Sequence, residues 1–436
     1  MKENKQLCVG MALAASWMTK NGWRRSNSGI EDLYSTDFYV ELAKKAEKAK
    51  LDFLFRPDTL FVNTAVLDAE PGFSSLDPMI LIATLARETE KIGLISTAST
   101  TYNPPYVVAR QLQSLNWITK GRIGWNVVTA IDGNKNFGED TMMSSEEKYI
   151  KAEEFTKVVQ ELWQSYPYDS LIMDKETGHY ADTSQISPIE HKGDYFSVEG
   201  PLNVPGHPSG SIPLFQAGSS NSGRNFASRV ADAVFAATPD IEAGIELRKD
   251  LRKRAETQGR NPDRIKVFPG ISLYLAETKE EAEELYQETH AQVPLSRKHN
   301  YVKEAIGLDI SLLSEETIIT PDMLPKLDRQ VRSKTHSDLI RRLIEREQPT
   351  VAELLKRPEV AGSSHWLVVG TPEDAFNEIE QRFRAGAADG IIAVPGGSIE
   401  SMNLFFEKLM PMLSQSGLFK KEYNGNTLRE HLNSYS

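Results

Sequence analysis

Short apolar runs alternate along the chain with longer stretches whose apolar residues recur at helical spacing. That is the pattern of strand–helix units stacked into a parallel sheet covered by helices. Eight runs read as strands: residues 7–14, 53–56, 92–98, 122–128, 212–216, 233–237, 265–272 and 390–394. Several lack the alternation of a half-exposed strand, as expected where both faces are buried. Eight such units predict an α/β fold, a (β/α)8 TIM barrel.

Helix starts are legible between the strands. Asp77-Pro78, Asn103-Pro104 and Thr371-Pro372 each pair a capping side chain with proline at the first helical position. Ser144 with Glu147 has capping-box spacing before a helical pattern over 149–163, and Thr371 with Asp374 is a weaker version. In a βα barrel each helix begins where a strand ends, so these caps are expected around the catalytic mouth. Two segments exceed ordinary loops. Residues 165–211 are rich in Gly, Pro, Ser and His, with a hairpin expected around Gly193-Asp194-Tyr195-Phe196. Residues 290–364 mix helical pieces (337–345, 351–357) with polar loop. We read both as insertions on one barrel domain spanning 1–436, with a C-terminal arm over about 414–436. Long insertions of this kind serve as lids or oligomer contacts.

Composition narrows the function. With 40% hydrophobic and 25% charged residues the chain is of ordinary globular type. Its net charge, 50 − 61 = −11, is spread without long runs, which disfavours a nucleic-acid or anionic-membrane partner. The single cysteine, Cys8, excludes an intrachain disulfide and sits in an apolar run, as an inert buried thiol would. Lys2, Lys5 and the apolar stretch after them imitate a signal peptide, but Glu3 and Gly10 do not suit one. A buried first strand explains the same residues, so a cytoplasmic protein is expected. No stretch approaches the roughly 20 apolar residues of a spanning helix.

The histidines show no metal-ligand spacing, so no metal is expected. Nucleophile-elbow, Walker and Gly-x-Gly-x-x-Gly motifs are absent. The ends of the third, fourth and fifth strands read Ser-Thr-Thr-Tyr, Asn-Val-Val-Thr and Gln-Ala-Gly-Ser. These are hydroxyls and amides rather than the paired carboxylates of a glycosidase. Such a mouth suits a cofactor that brings its own reactivity.

The fifth strand runs into Gln216-Ala217-Gly218-Ser219-Ser220-Asn221-Ser222-Gly223 and a helical pattern from Arg224. Glycines admit an anion to the backbone, serines donate, and a helix N-terminus adds positive partial charge: a phosphate cradle. An ordinary polar loop with an N-cap explains the same residues, and the segment alone leaves both readings open. Asp58 is either a surface acid or an acceptor for a cofactor hydroxyl. Thr97 concentrates polarity at a strand end together with Ser99, Thr100 and Thr101. Tyr149 either packs in the core or meets a phosphate from the first turn of its helix.

The strings Gly121-Arg122-Ile123-Gly124-Trp125-Asn126-Val127-Val128-Thr129 and Ser99-Thr100-Thr101-Tyr102-Asn103-Pro104-Pro105-Tyr106 are highly specific. So are Gly200-Pro201-Leu202-Asn203-Val204-Pro205, Gln216-Ala217-Gly218-Ser219-Ser220, Val369-Gly370-Thr371-Pro372-Glu373, and the tail strings Gly417-Leu418-Phe419 and Thr427-Leu428-Arg429. In this order they resemble the bacterial luciferase superfamily. Within it, they are similar to the nitrilotriacetate, EDTA and dibenzothiophene-sulfone monooxygenase group, with long-chain alkane monooxygenase. The likeness covers essentially the whole chain.

The resemblance implies a luciferase-type barrel acting as the oxygenase of a two-component system. A separate NAD(P)H-dependent flavin reductase would supply reduced FMN. With dioxygen this would give a flavin peroxide that oxygenates a C–N, C–S or C–H bond. It implies FMN contacts at Asp58, Thr97, Tyr149 and Ser220, with Ser219 beside the last. Ser145 stands where relatives often carry histidine, which exchanges a possible cation for a neutral donor. Two further departures bear on substrate: Trp23-Arg24-Arg25-Ser26 where relatives show Trp-Arg-His-Pro, and Ala130-Ile131 where some place Ser-His.

Asn126 is a candidate to hold the ring or peroxide, and His365 a candidate acid–base near the peroxide; a loop histidine also suits a solvent-facing role. Trp17, Trp23, Trp125 and Trp366 are candidates for the apolar lining or for buried core. The resemblance further implies a homodimer or dimer of dimers. Two other functions stay open: a deazaflavin-dependent oxidoreductase of the same superfamily, and a non-catalytic flavin-binding barrel. The substrate itself is not legible.

Overall fold

In the computed structural model, which describes residues 6–218, 220–291, 293–326, 334–361 and 365–434, nine strands form one parallel sheet. They are β1 (Cys8–Ala12), β2 (Phe53–Arg56), β3 (Gly93–Ser99), β4 (Ile123–Val128), β5 (Leu214–Gln216), β6 (Ala233–Ala236), β7 (Lys266–Leu275), β8 (Trp366–Gly370) and β9 (Gly390–Pro395). Their order is β6-β5-β4-β3-β2-β1-β9-β7-β8, and β6 also pairs with β7, which closes a ring of eight. The eight runs expected as strands are the eight walls of this barrel.

β8 is not among those runs. It exists because β7, at ten residues, outgrows its neighbour. Residues 266–269 pair with β6, and residues 271–275 rise past the end of β6 and pair with β8. A strand edge with free backbone groups needs a partner, and β8 supplies it.

Strand alternation sorts the side chains into two cores. Val9 and Met11 of β1, Leu54 of β2, Ile123, Trp125 and Val127 of β4, and Ile391 and Ala393 of β9 point outward into the layer under the helices. Their neighbours Cys8, Phe53, Phe55, Ile95, Phe215, Phe268 and Ile392 point into the barrel, where they form a separate cluster. The floor of that cluster comes from the far end of the chain. Helix Leu428–Asn433 inserts Leu428 and Leu432 into it. The Leu428 N–H donates to Gly121 O just before β4 at 3.1 Å, and His431 Nε2 lies 2.8 Å from Lys91 O before β3. The arm is pinned by Lys420, whose ammonium pairs with the fully buried Asp52 just before β2.

Main helices outside the wall are α1 (Thr36–Lys48), α2 (Pro78–Glu88), α3 (Pro105–Ile118), α4 (Ser145–Gln164), α5 (Asn221–Val230), α6 (Ile241–Thr257), α7 (Lys279–His290), α8 (Leu295–Ile306), α9 (Lys334–Glu347) and α10 (Pro372–Arg384). Asp77 accepts from the Met79 and Ile80 N–H groups, and complete capping boxes form at Ser144/Glu147 and Thr371/Asp374. The Asn103-Pro104 cap does not form. α3 starts one residue later, at Pro105, because the Asn103 amide instead donates to Ser99 O at 2.8 Å and ties off the end of β3. The first insertion carries the expected hairpin (His191–Lys192 with Ser197–Val198) and a second, Leu171–Asp174 with His179–Ala181. In the second insertion α8 and α9 share a buried cluster of their own, including Val302, Ile306, Ile340 and Ile344. Among the described residues no helix is long and apolar enough to cross a membrane.

Candidate active site

At the C-terminal ends of the strands the barrel interior changes from apolar to polar within one layer. Phenylalanines make the last dry layer: Phe55 and Phe235 at 5.1 Å between ring centroids, and Phe53 and Phe215 at 5.2 Å. Above them, Thr97 Oγ1 donates to Arg56 O at 2.6 Å and accepts from Asn126 Nδ2 at 2.9 Å. The amide nitrogen of Asn126 is thereby engaged, while its carbonyl oxygen, also buried, has no protein partner. Arg56 anchors this chain from behind. Its guanidinium donates to Leu13 O and lies over the Tyr39 ring at 5.4 Å.

Asp58 follows two residues after Arg56, half-buried. Burial, then the nearby Asp77 carboxylate, pushes its carboxyl up to about 6. The acid therefore titrates near neutrality rather than resting as a surface carboxylate.

Across the mouth, β5 runs into the Gly218 turn and Ser220 caps α5, its Oγ accepting from Gly223 N at 3.1 Å. Tyr149, from the first turns of α4, lays its hydroxyl on this turn. A Cβ at Gly218 would lie 2.2 Å from that oxygen, so only glycine admits the contact. Gln216 Nε2 donates to the Tyr149 hydroxyl at 3.4 Å and leaves Gln216 Oε1 buried without a protein partner. Burial raises the Tyr149 pKa, opposed by hydrogen bonds with Gln216, Thr129 and Ser220. Tyr149 and Ser220 are thus brought together. Ser145 is exposed one turn earlier on α4. Ser219 lies outside the described residues.

His365 is not a solvent-facing loop residue. Its ring stacks on Phe235 at 5.2 Å with an interplanar angle of 6°, over Gly270 of β7. A Cβ at Gly270 would come within 2.5 Å of His365 Nδ1, so glycine on the wall is what lets the ring in. Burial, then His336, pushes its pKa down to about 4, and Nδ1 has no protein partner. The imidazole is therefore neutral over the ordinary working range.

A family model described as luciferase-like monooxygenase matches residues 16–389. The chain belongs to that family. It is 36% identical to N-acetyl-S-(2-succino)cysteine monooxygenase of Bacillus subtilis, over 98% of this chain and 97% of the relative. It is also 36% identical to nitrilotriacetate monooxygenase component A of Aminobacter aminovorans, over 99% and 97%. Among solved structures, a riboflavin lyase with modified FMN and riboflavin matches at 30% identity with a TM-score of 0.84, covering 99% of this chain and 96% of that one. Luciferase-like monooxygenases depend on reduced flavin.

Two corrections follow for the lining. Trp17, Trp125 and Trp366 are in the outer core rather than at the mouth. Trp125 faces away because its neighbour Asn126 faces in, and the Arg382 guanidinium lies over the Trp366 ring at 3.8 Å. Trp23 is only partly buried and donates to Ala69 O at 2.9 Å. Phenylalanines supply the apolar surface instead. Gln216 and Thr129 were not singled out from sequence. Both sit at strand ends inside family-specific strings, which is the signal that marks them.

Proposed function

We propose that this chain is the oxygenase component of a two-component monooxygenase. It takes reduced FMN from a separate NAD(P)H:flavin reductase and uses dioxygen to oxygenate a small organic substrate at a C–N, C–S or C–H bond. The observation that carries this reading is the Asn126 carbonyl oxygen, buried and without a protein partner above a phenylalanine floor. A buried acceptor left unpaired costs about 1–3 kcal/mol, so a ligand donor there relieves a real penalty. The ring N–H of a flavin is such a donor, and the phenylalanines beneath it are apolar.

The remaining residues fit the other parts of the cofactor. Ser220 and the Tyr149 hydroxyl, at the N-terminus of α5, are placed to hold the phosphate. Asp58 is placed for a ribityl or ring hydrogen bond, and Thr97 keeps the Asn126 amide oriented. Bound reduced FMN supplies the electrons that activate dioxygen. The protein's own part is to orient the ring, keep water out over the phenylalanines, and manage protons. His365, neutral and with Nδ1 unengaged, is placed to accept a proton and return it at the reacting oxygen.

The test is oxygen uptake by the full chain with FMN, NADH and a generic flavin reductase, corrected for free hydrogen peroxide. Amines, sulfones, sulfonates and alkanes form the panel. Product formation coupled to oxygen with one class is expected. FMN binding without product under every reductase would leave a binding barrel, and anaerobic turnover with a deazaflavin would replace the oxygenase reading.

A further inference from the structure

Helix α4 meets the mouth along one side. Ser145, Lys148, Tyr149 and Ala152 have the i, i+3, i+4, i+7 spacing that lines residues up on one face of a helix. Ala152 is fully buried and Tyr149 reaches the Gly218 turn, so this face looks toward the barrel. Ser145, at the start of the helix, is exposed and carries no charge. Lys148, beside Tyr149, is half-buried, and its ammonium donates to Ala130 O at 2.9 Å. Ala130 follows Thr129, whose side chain hydrogen-bonds with the Tyr149 hydroxyl. The ammonium and the hydroxyl thus hold consecutive residues just past β4.

Cations on the neighbouring turns are engaged elsewhere. Arg224, in the first turn of α5, pairs with Asp250 at 3.0 Å, and Arg229 further along pairs with Glu153. Lys151 gives its ammonium to Thr101 O at 2.7 Å and lies 5.8 Å from the centre of the Phe196 ring, toward the first insertion. Lys148 differs. Among the described residues it has no carboxylate partner, and burial lowers its pKa with no acid pulling it back up. One carbonyl occupies one of its three ammonium donors. A half-buried positive charge without a counter-charge is costly, and a bound anion relieves that cost.

The anion this place suits is a phosphate. The Tyr149 hydroxyl also lies against the N-terminus of α5, a helix of 10 residues whose leading N–H groups favour negative charge. Ser220 Oγ accepts from Gly223 N and keeps its own O–H to give. Both hydroxyls are neutral, however. A charge-assisted hydrogen bond is roughly twice as strong as a neutral one, so the ammonium is what separates a phosphorylated ligand from the same ligand without its phosphate.

We propose that Lys148 is the cationic member of the phosphate seat, and that it makes the site select FMN over riboflavin, which has the same ring and ribityl chain but no phosphate. This deepens, and rests on, the flavin-dependent oxygenase reading. The hydroxyls of Tyr149 and Ser220 shape the seat, and Lys148 supplies its charge. The bond to Ala130 O aims the ammonium and leaves its other N–H groups for the phosphate.

The experiment is anaerobic titration of the full chain with reduced FMN and, in parallel, reduced riboflavin, read by quenching of tryptophan fluorescence. The parent chain is expected to bind FMN about tenfold or more tightly than riboflavin. Lys148→Gln keeps a donor for Ala130 O and removes the charge. It should weaken FMN binding about tenfold and leave riboflavin binding unchanged. Lys148→Arg should restore most of the preference, and Lys157→Gln, exposed farther along α4, should change nothing. A lysine that only braced the helix would move both flavins together. Equal loss for both flavins, or unchanged FMN affinity in Lys148→Gln, overturns the proposal. Should Lys148→Gln fold poorly, the parent chain decides: its preference for FMN must shrink as salt is raised, and a preference indifferent to salt refutes the charged seat. Oxygen uptake separates the two ideas. Coupled oxygenation with unchanged FMN affinity in Lys148→Gln refutes the lysine and keeps the oxygenase, whereas a lysine-dependent preference for FMN with no oxygenated product in any panel does the reverse.

Discussion

Asn126 and Trp125 are adjacent in the chain and belong to different worlds, one facing the barrel interior and one the helix layer. The amide of Asn126 is held on one side by Thr97 and open on the other. Asn126→Leu removes the acceptor but keeps the volume. The dissociation constant for reduced FMN is expected to rise about tenfold, with more hydrogen peroxide released per dioxygen consumed; fluorescence titration and a peroxide assay read both. Ser220 tests the phosphate end more sharply. Ser220→Asp retains a good N-cap for α5 but places a negative charge at the seat. FMN affinity should fall well over tenfold while the melting temperature scarcely moves. Unchanged affinity would remove Ser220 from the site. The residue types at these positions are legible in the sequence as a neutral, hydrogen-bonding rim. Their engagement is not, because the chain Arg56–Thr97–Asn126 joins three strands and the His365 ring finds its place only against Phe235 and Gly270.

Elements show where local chemistry suffices. The boxes at Ser144/Glu147 and Thr371/Asp374 form as their spacing predicts, since a cap is made within four residues. Ser144→Ala is expected to cost about 1 kcal/mol in urea unfolding. Because Tyr149 rides on the same helix, FMN affinity should also drop. At Asn103 two local options compete: its side chain donates to the Ser99 carbonyl four residues back instead of capping α3. β8 is an apolar run with alternating burial that becomes a ninth strand where β7 offers it a free edge, an edge no local pattern announces. Among its contacts the C-terminal arm makes a fully buried ion pair, Lys420 with Asp52. Asp52 also accepts from Val9 N at 2.7 Å. Lys420→Met should therefore strand a buried carboxylate and cost about 3–5 kcal/mol in urea unfolding, far more than a surface lysine.

For the whole molecule, pH acts through groups the fold has hidden. His365 and His290 are both pushed down to about 4, against 6.5 for a free histidine. Between those values the unfolded chain takes up protons that the folded chain refuses. Stability is thus full above pH 6.5 and falls as pH drops toward 4, by about 3 kcal/mol per histidine at most. Asp58 works in the opposite sense. Its carboxyl, raised from 3.8 to about 6, binds a proton in the folded state first and so opposes part of the loss. Two histidines against one aspartate leave a net decline, and denaturant midpoints at pH 7.5, 6 and 4.5 should decrease in that order. The combined variant His290→Phe and His365→Gln should flatten the decline; an unaltered slope would show that neither ring is buried neutral.

The sequence by itself determined the eight walls, most helix starts, the family and the neutral character of the mouth. These rest on periodicity, caps and strings that neighbouring residues complete. Tertiary structure decided which oxygens go unpartnered, that phenylalanine rather than tryptophan faces the barrel interior, where His365 stacks, and that Lys20 and Arg297 meet Glu70. Those facts depend on partners scores of residues apart, brought together by closure of the barrel, and no local pattern encodes a distance across a ring.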